Sequence, residues 1–338
     1  KGIYMKKAKK LSLAILSLVC ALALFVAVFA GCGGDPTTPT TPGGDGETPT
    51  PVNVSLVAPD GAPMAALADM WGSEFDGATI DYSVTAETQL NTEFASGTEF
   101  IVAPINIGAN IHNSYAQGKT EYDYKLMNVT SWGVLYLITT EDYTVYEGED
   151  AADVDAYAAQ FDGKTITTIG LPAIPGKTTG YIFDGAELSG TDATVIQQSI
   201  ARGDKITAVL GEPAITALKT QGKEFTVLAS ISELFADKTG EEFPMAGMFV
   251  RSDIAADHST LVTAINDKIR DSVAAFNADP EAVGTKAEGI EGCSLKGAVL
   301  KNAKDKMNVR FRNAADSKDA VNELFSHIGV TVDDAFFL

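Results

Sequence analysis

Few side chains in this 338-residue chain have both the type and the spacing to do chemistry, and the one with the strongest local context is Cys32. It follows Phe29-Ala30-Gly31, which closes an apolar run from Leu11 to Ala30 behind the basic stretch Lys6, Lys7, Lys9 and Lys10. A basic start, an apolar core and a small-residue cleavage site make a secretory signal. The small residues let a peptidase hold the extended backbone closely, and the Cys32 thiol can then take a lipid. Phe29 is an atypical occupant where leucine is usual, and Met5 is the natural start of such a signal. The alternative is an uncleaved membrane anchor, since about 20 apolar residues span a bilayer. The Gly-Cys-Gly-Gly that follows favours processing. Either way the rest of the chain is expected outside the cytoplasm, lipid-anchored to the cell membrane.

The other reactive groups are scattered. Cys20 leaves with the signal, and Cys293 is then alone, without a disulfide partner. It reads as a structural thiol before it reads as a nucleophile. His112, His258 and His327 have no neighbouring His or Cys, so no metal site is expected. G-x-S-x-G, H-E-x-x-H, the phosphate-binding Walker loop and G-x-G-x-x-G are absent. Paired acids such as Asp333-Asp334 read as solvated surface. The expectation is that the chain is not an enzyme and has no cofactor.

Charge narrows the partners. The first 31 residues hold five of the 25 Lys and Arg and none of the 45 Asp and Glu, so their removal takes the net charge from −20 to −25. So acidic a surface argues against nucleic acid and against an electrostatic grip on anionic lipid. A small anionic ligand remains open, because it feels local dipoles more than net charge.

These groups need elements to position them. Gly33 to Val52 carries five prolines among Thr, Gly, Asp and Glu, too little apolar surface to offset its ordering entropy. It reads as a disordered tether with an end-to-end distance of about 25 Å. Beyond it the chain alternates. Val54, Leu56 and Ala58 mark a strand that runs into Asp60-Gly61-Ala62-Pro63, and Met64, Leu67, Ala68 and Trp71 recur at helical spacing. Strands are expected at 79–84, 100–106, 125–129 and 133–139, with a helix over 87–95. A second unit begins near Asp162, with strands at 165–169, 208–210, 225–229 and 245–251. Residues 171–180 read as a Gly/Pro-rich loop, with a helix starting at Thr178 or Thr179. Helices are expected over 193–202, 214–219, 259–277, 280–285 and 318–328. Strands alternating with helices predict an α/β fold.

The succession Ala58-Pro59-Asp60-Gly61-Ala62-Pro63, Ile101-Val102-Ala103-Pro104-Ile105-Asn106, Gly176-Lys177-Thr178-Thr179-Gly180, Ala208-Val209-Leu210-Gly211-Glu212-Pro213-Ala214 and Gly247-Met248-Phe249-Val250-Arg251 resembles the type II periplasmic-binding fold. More narrowly it is similar to the solute-binding lipoproteins of ABC importers in the nitrate/sulfonate/taurine and thiamine-precursor (NMT1/THI5-like) group. The resemblance covers about 53–338. It implies two lobes joined by two crossing strands: 1–31 a signal, 32–52 lipidated Cys and tether, 53–137 plus 246–338 lobe 1, and 138–245 lobe 2. The crossings would lie near 135–140 and 243–249. The implied function is capture of a small polar solute by lobe closure, a sulfonate- or nitrate-like anion or a thiamine-precursor-like amine. The implied partners are that solute, an ABC permease and ATPase, and the membrane through the lipid, the protein itself being a monomer. A pyrimidine-biosynthesis enzyme of the same broad group and a non-transport ligand sensor are the alternatives.

Loops beyond the carboxyl ends of strands, where helices begin, are where open α/β sheets hold ligands. Free N–H groups and the positive helix end suit anionic or polar atoms there. This nominates Asp60, Gly61, Ala62, Pro104, Asn106, Thr178, Thr179 and Glu212 as ligand contacts, with Trp132 as an aromatic wall. Each has a plainer reading. Asp60 could cap its helix with Pro63 in the first turn. Asn106 could shape a turn, Trp132 could belong to the core, and Thr178 and Thr179 could be ordinary caps. Glu212 is either a solvated turn or the partner of a ligand amine.

Overall fold

The computed structural model describes residues 51–338, so the signal, Cys32 and nearly all of the tether lie outside the described residues. β1 (Val52–Pro59) leads into the short α1 (Ala62–Leu67), and β2 (Ala78–Thr85) into α2 (Leu90–Ser96). β3 (Phe100–Pro104), α3 (Ile105–Ala116), β4 (Tyr124–Ser131) and β5 (Leu135–Thr139) follow. Then come α4 (Ala151–Ala158), β6 (Thr165–Ile169), α5 (Ile174–Ile182), β7 (Glu187–Thr191), α6 (Ala193–Arg202), β8 (Thr207–Gly211), α7 (Ala214–Thr220), β9 (Thr226–Ser230) and α8 (Ile231–Thr239). The last part holds β10 (Ala246–Arg251), α9 (Ser252–Asp257), α10 (Ser259–Ala278), α11 (Pro280–Ala287), α12 (Gly297–Met307), β11 (Val309–Asn313) and α13 (Ala314–Ile328). Among the described residues no helix is long and apolar enough to cross a membrane.

These strands form two mixed sheets. The first has six strands in the order β11-β4-β10-β3-β1-β2, the second five in the order β7-β6-β8-β5-β9. β1, β2 and β3 run parallel, as do β6, β7 and β8, while β10 and β5 are inserted antiparallel to their neighbours. The inner strands are covered on both faces and read as unbroken apolar runs, such as Phe100-Ile101-Val102-Ala103, every residue of it buried. The chain passes from the first sheet to the second over 132–134 and returns over 240–245. β5 pairs with β8 along its whole length and with β9 from Tyr136 to Thr139.

The two passages are bonded together. Met245 donates its N–H to Ser131 O at 2.8 Å, and Ile105 donates to Met245 O at 2.9 Å. Gly133, in the outward passage, has φ +95°, and a Cβ there would stand 2.3 Å from Ser232 Cβ. Glycine satisfies both the left-handed backbone and the space.

Apolar packing continues from one sheet to the other. Phe94, Tyr124 and Phe249 share a buried cluster with Phe161, Phe183, Phe235 and Phe243. α13 adds a polar tie, since Lys177 of α5 donates to Ile328 O at 2.8 Å, and the Tyr181 and His327 rings lie 4.2 Å apart. The C-terminal residues pack back on β4, where Leu338 donates its N–H to Leu126 O at 2.9 Å.

His112 fastens that segment. Buried on α3, it meets Asp123 through Nδ1 at 2.8 Å and Asp333 through Nε2 at 3.2 Å. The Asp333 carboxyl is held below the ordinary carboxylate range, chiefly by the His112 hydrogen bond. A depressed folded value means the contact is fully present above the ordinary carboxylate pKa of about 3.9 and is lost as pH falls through the folded value. Amide exchange at Phe336, Phe337 and Leu338 should therefore quicken below about pH 4 before the sheets open. His112→Ala should show the same local quickening at neutral pH. Exchange at these amides that stays level with β4 in both cases would remove His112 as the fastening.

Candidate functional site

The carboxyl ends of the parallel strands in the two sheets face one cavity of about 260 Å³. From the first sheet the wall is built by Pro59, Asp60, Gly61 and Ala62 after β1, Glu87 after β2, and Pro104 after β3. Ser131, Met245 and Ala246 add the two passages. From the second sheet come Ile169 after β6, Ala173, Ile174 and Pro175 at the start of α5, and Ala193 at the start of α6. Val134, Leu135 and the turn Leu210-Gly211-Glu212-Pro213-Ala214 close it. Ligands in α/β sheets sit at such strand ends, because the loops there are free to vary while the strands hold their stems rigid. The lining is largely aliphatic, with polarity confined to a few positions.

Three of those positions are carboxylates. Glu212 is only 3% exposed. Its Oε2 accepts the Thr216 N–H and its Oε1 accepts the Thr216 hydroxyl, both at 3.0 Å. It thereby takes up a free amide in the first turn of α7. The bond from Glu212 to Pro213 is cis. Asp60 does not cap α1: its Oδ1 accepts the Ser294 N–H at 2.8 Å, and the cap residue is Gly61 at φ +96°. That conformation is open to glycine alone at no cost. Glu87, exposed at the mouth, has its carboxyl pushed up by desolvation in the hollow. Among the described lining residues there is no Lys, Arg, His or aromatic ring. Beside the site, burial pushes the Cys293 thiol up and the Asp60 carboxylate adds to this, so the thiol is poorly suited to nucleophilic work at neutral pH.

A more open hollow of about 890 Å³ lies at the opposite, amino end of β1, between the Glu74–Gly77 turn and the start of α10. Strand carboxyl ends do not converge there. Among the described residues no group of three or more His, Cys, Asp and Glu could hold a metal ion.

Solved structures with this arrangement include an ABC transporter protein from Parabacteroides distasonis, with 19% identity, TM-score 0.61, and coverage of 86% of this chain and 99% of that one. The periplasmic aliphatic sulphonate binding protein SsuA of Escherichia coli matches with 13% identity, TM-score 0.58, and coverage of 85% and 96%. The periplasmic nitrate-binding protein NrtA of Synechocystis PCC 6803 matches with 12% identity, TM-score 0.53, and coverage of 75% and 70%. The fold is that of the periplasmic binding proteins. A family model described as menaquinone biosynthesis matches residues 186–328, less than half of the chain. No curated protein matches the sequence.

Within this periplasmic-binding fold the nominated residues divide. Asp60, Gly61, Ala62, Pro104 and Glu212 line the cavity together. Asn106, Trp132, Thr178 and Thr179 do not. Asn106 sits inside α3, buried, with its Oδ1 unpartnered. Thr178 and Thr179 are fully buried within α5, which begins at Ile174 and not at Thr178 or Thr179. Thr179 donates its hydroxyl to Pro175 O at 2.6 Å, while Thr178 Oγ1 has no partner. Gly176 belongs to this helix for close approach, since a Cβ there would stand 2.2 Å from Leu171 O. A glycine in that role looks in sequence like a loop glycine, so the expected helix start lies four or five residues too late.

Trp132 is 1% exposed. Its Nε1 donates to Val129 O at 3.3 Å and Arg310 O at 3.2 Å, and the Arg312 and Arg310 guanidiniums lie 4.2 and 5.0 Å from the ring centroid. Ser131, Met245 and Glu87 are lining residues that sequence reasoning passed over. For Glu87 the signal was present, since it follows a strand as Asp60 and Glu212 do. In sequence the same residue also suits the start of a helix over 87–95.

Proposed function

We propose that the protein is the extracytoplasmic solute-binding component of an ABC importer, taking a small solute into the cavity between two lobes that follow the two sheets. One observation carries this reading: parallel strand ends from two sheets joined by two passages point into a single cavity. The sequence adds an export signal and Cys32 as a lipid anchor, with a tether that lets the folded part turn toward a permease. Solute would be held by both walls, so that the lobes close by hinge motion at the two passages.

The test is a thermal-shift screen of sulfonates, nitrate and small amines, followed by small-angle scattering with any solute found. A solute at 100 times its dissociation constant adds about 2.7 kcal/mol. For a chain of this size that is a rise in Tm of roughly 5 °C. The radius of gyration should fall on binding. A tight solute that displaces none of the lining residues in a nuclear magnetic resonance map would sink the cavity assignment.

The family match over 186–328 favours a second reading, an enzyme in which a cleft carboxylate moves a proton. Mass spectrometry of the solute recovered after incubation separates the two. Solute returned unchanged supports capture, and a product formed with turnover supports catalysis.

A further inference from the structure

We infer that the solute is a compact aliphatic cation, an amine or ammonium compound with a saturated body, and this rests on the solute-binding reading above. The cavity presents three carboxylates, Asp60, Glu87 and Glu212, and no basic side chain among the described residues lining it. Glu212 is the decisive one, being 3% exposed and facing an otherwise aliphatic wall of Val134, Leu135, Ile169, Ile174, Leu210 and Met245. Its two hydrogen bonds both come from Thr216, and each carboxylate oxygen has a further lone-pair direction to offer. A buried carboxylate without a positive partner is costly, whereas one that meets a cation is compensated. Lys219, whose charge reaches Glu212, lies outside the lining with its ammonium 5.6 Å from the Phe225 ring centroid.

The helix starts do not reverse this preference. Pro175 removes one amide donor from the first turn of α5, and in α7 the Thr216 N–H is already taken by Glu212. Uncapped amides remain at the starts of α5 and α6, but a sulfonate or nitrate here would face three like charges with no cationic side chain among the described lining residues. Shape sets the other limits. Water occupies about 30 Å³ per molecule in the liquid, so 260 Å³ holds a solute of roughly eight to ten non-hydrogen atoms. Without an aromatic side chain in the wall there is no platform for stacking a planar ring. Aliphatic contact with the body and ion pairing at the head are what this wall offers.

The test is calorimetry on the full chain in detergent after dialysis, with choline and cyclohexylamine as cations, 3,3-dimethyl-1-butanol and cyclohexanol as neutral counterparts, and ethanesulfonate and nitrate as the opposing anions. At least one cation should bind at least 100-fold more tightly than its neutral counterpart, with no heat from ethanesulfonate or nitrate. Glu212→Gln and Glu87→Gln should each weaken the cation at least tenfold. Gln at 212 keeps an acceptor for Thr216, and the Glu87 side chain makes no hydrogen bond among the described residues, so circular dichroism should match the parent in both. An anion or neutral probe that binds as tightly as the cations overturns the inference and leaves solute capture standing. A cation whose affinity neither variant changes overturns it too. No binding by any probe overturns it as well. If native mass spectrometry of the protein from cells then also finds no carried solute, the binding reading falls with it.

Discussion

Gly247→Ala is expected to destabilise the fold by about 3 kcal/mol or more, a large share of a typical domain's 5–15 kcal/mol. Gly247 lies in β10, which is held between β3 and β4. A Cβ there would stand 1.8 Å from Asn128 O, 2.9 Å from its carbonyl carbon and 3.1 Å from Val129 Cα. All three are backbone atoms of β4, so a rotamer change cannot relieve the clash. The strand would have to separate from its neighbour and lose ladder bonds at the place where the chain returns from the second sheet. Met245 and Ala246, just before it, line the cavity, so any solute response should weaken as well. Urea unfolding followed by far-UV circular dichroism measures the change. A midpoint that moves by the equivalent of less than about 0.5 kcal/mol would show that β4 yields more easily than this packing implies.

Trp132→Ala should cost about 3–5 kcal/mol, the range for removing a large buried aromatic. Three losses combine. The ring volume leaves a cavity, the indole N–H no longer serves Val129 O and Arg310 O, and the guanidiniums of Arg310 and Arg312 lose the face they cover. Those guanidiniums are also tied to Glu242 at 2.7 and 2.5 Å, on the return passage. Trp132 thus joins the outward passage, β11 and the return passage. Trp132→Phe keeps a ring for the arginines and should cost about 1–2 kcal/mol, mostly the lost hydrogen bonds and some volume. If Trp132 were instead a wall of the cavity, alanine would weaken solute binding while leaving the unfolding midpoint almost unchanged. A near-unchanged midpoint would overturn the structural role.

Trp132 also shows where sequence reading reaches its limit. Between Ser131 and Gly133 it occupies a passage between lobes, and a large aromatic there suits a cleft wall as well as a core. The choice depends on Arg310 and Arg312, nearly 180 residues away, and no local pattern announces them. β7 is a similar case. Glu187-Leu188-Ser189-Gly190-Thr191 has one large apolar residue and a glycine, so it carries no strand signal of its own. It is a strand because β6 offers it a full parallel register at the sheet edge. β11, Val-Arg-Phe-Arg-Asn, has a single large aromatic between two arginines and is a strand because β4 pairs with it.

By itself the sequence determined the alternation of strands and helices, because burial on both faces writes continuous apolar runs and a single buried face writes helical spacing. It also located the junctions Asp60–Ala62, Pro104 and Glu212, because leaving a strand and entering a helix requires Gly, Pro and capping chemistry within a few residues. Tertiary structure alone decided which junctions share a cavity. It turned Asn106, Thr178 and Thr179 into the interior, brought Glu87 opposite Glu212, and left the wall without a cation. These outcomes follow from how two sheets far apart along the chain are set against each other. Side-chain direction at a junction is fixed by that packing and not by the residues on either side. The junctions that carry the candidate site were therefore legible one by one, while the acidic, aliphatic cavity they build together was not.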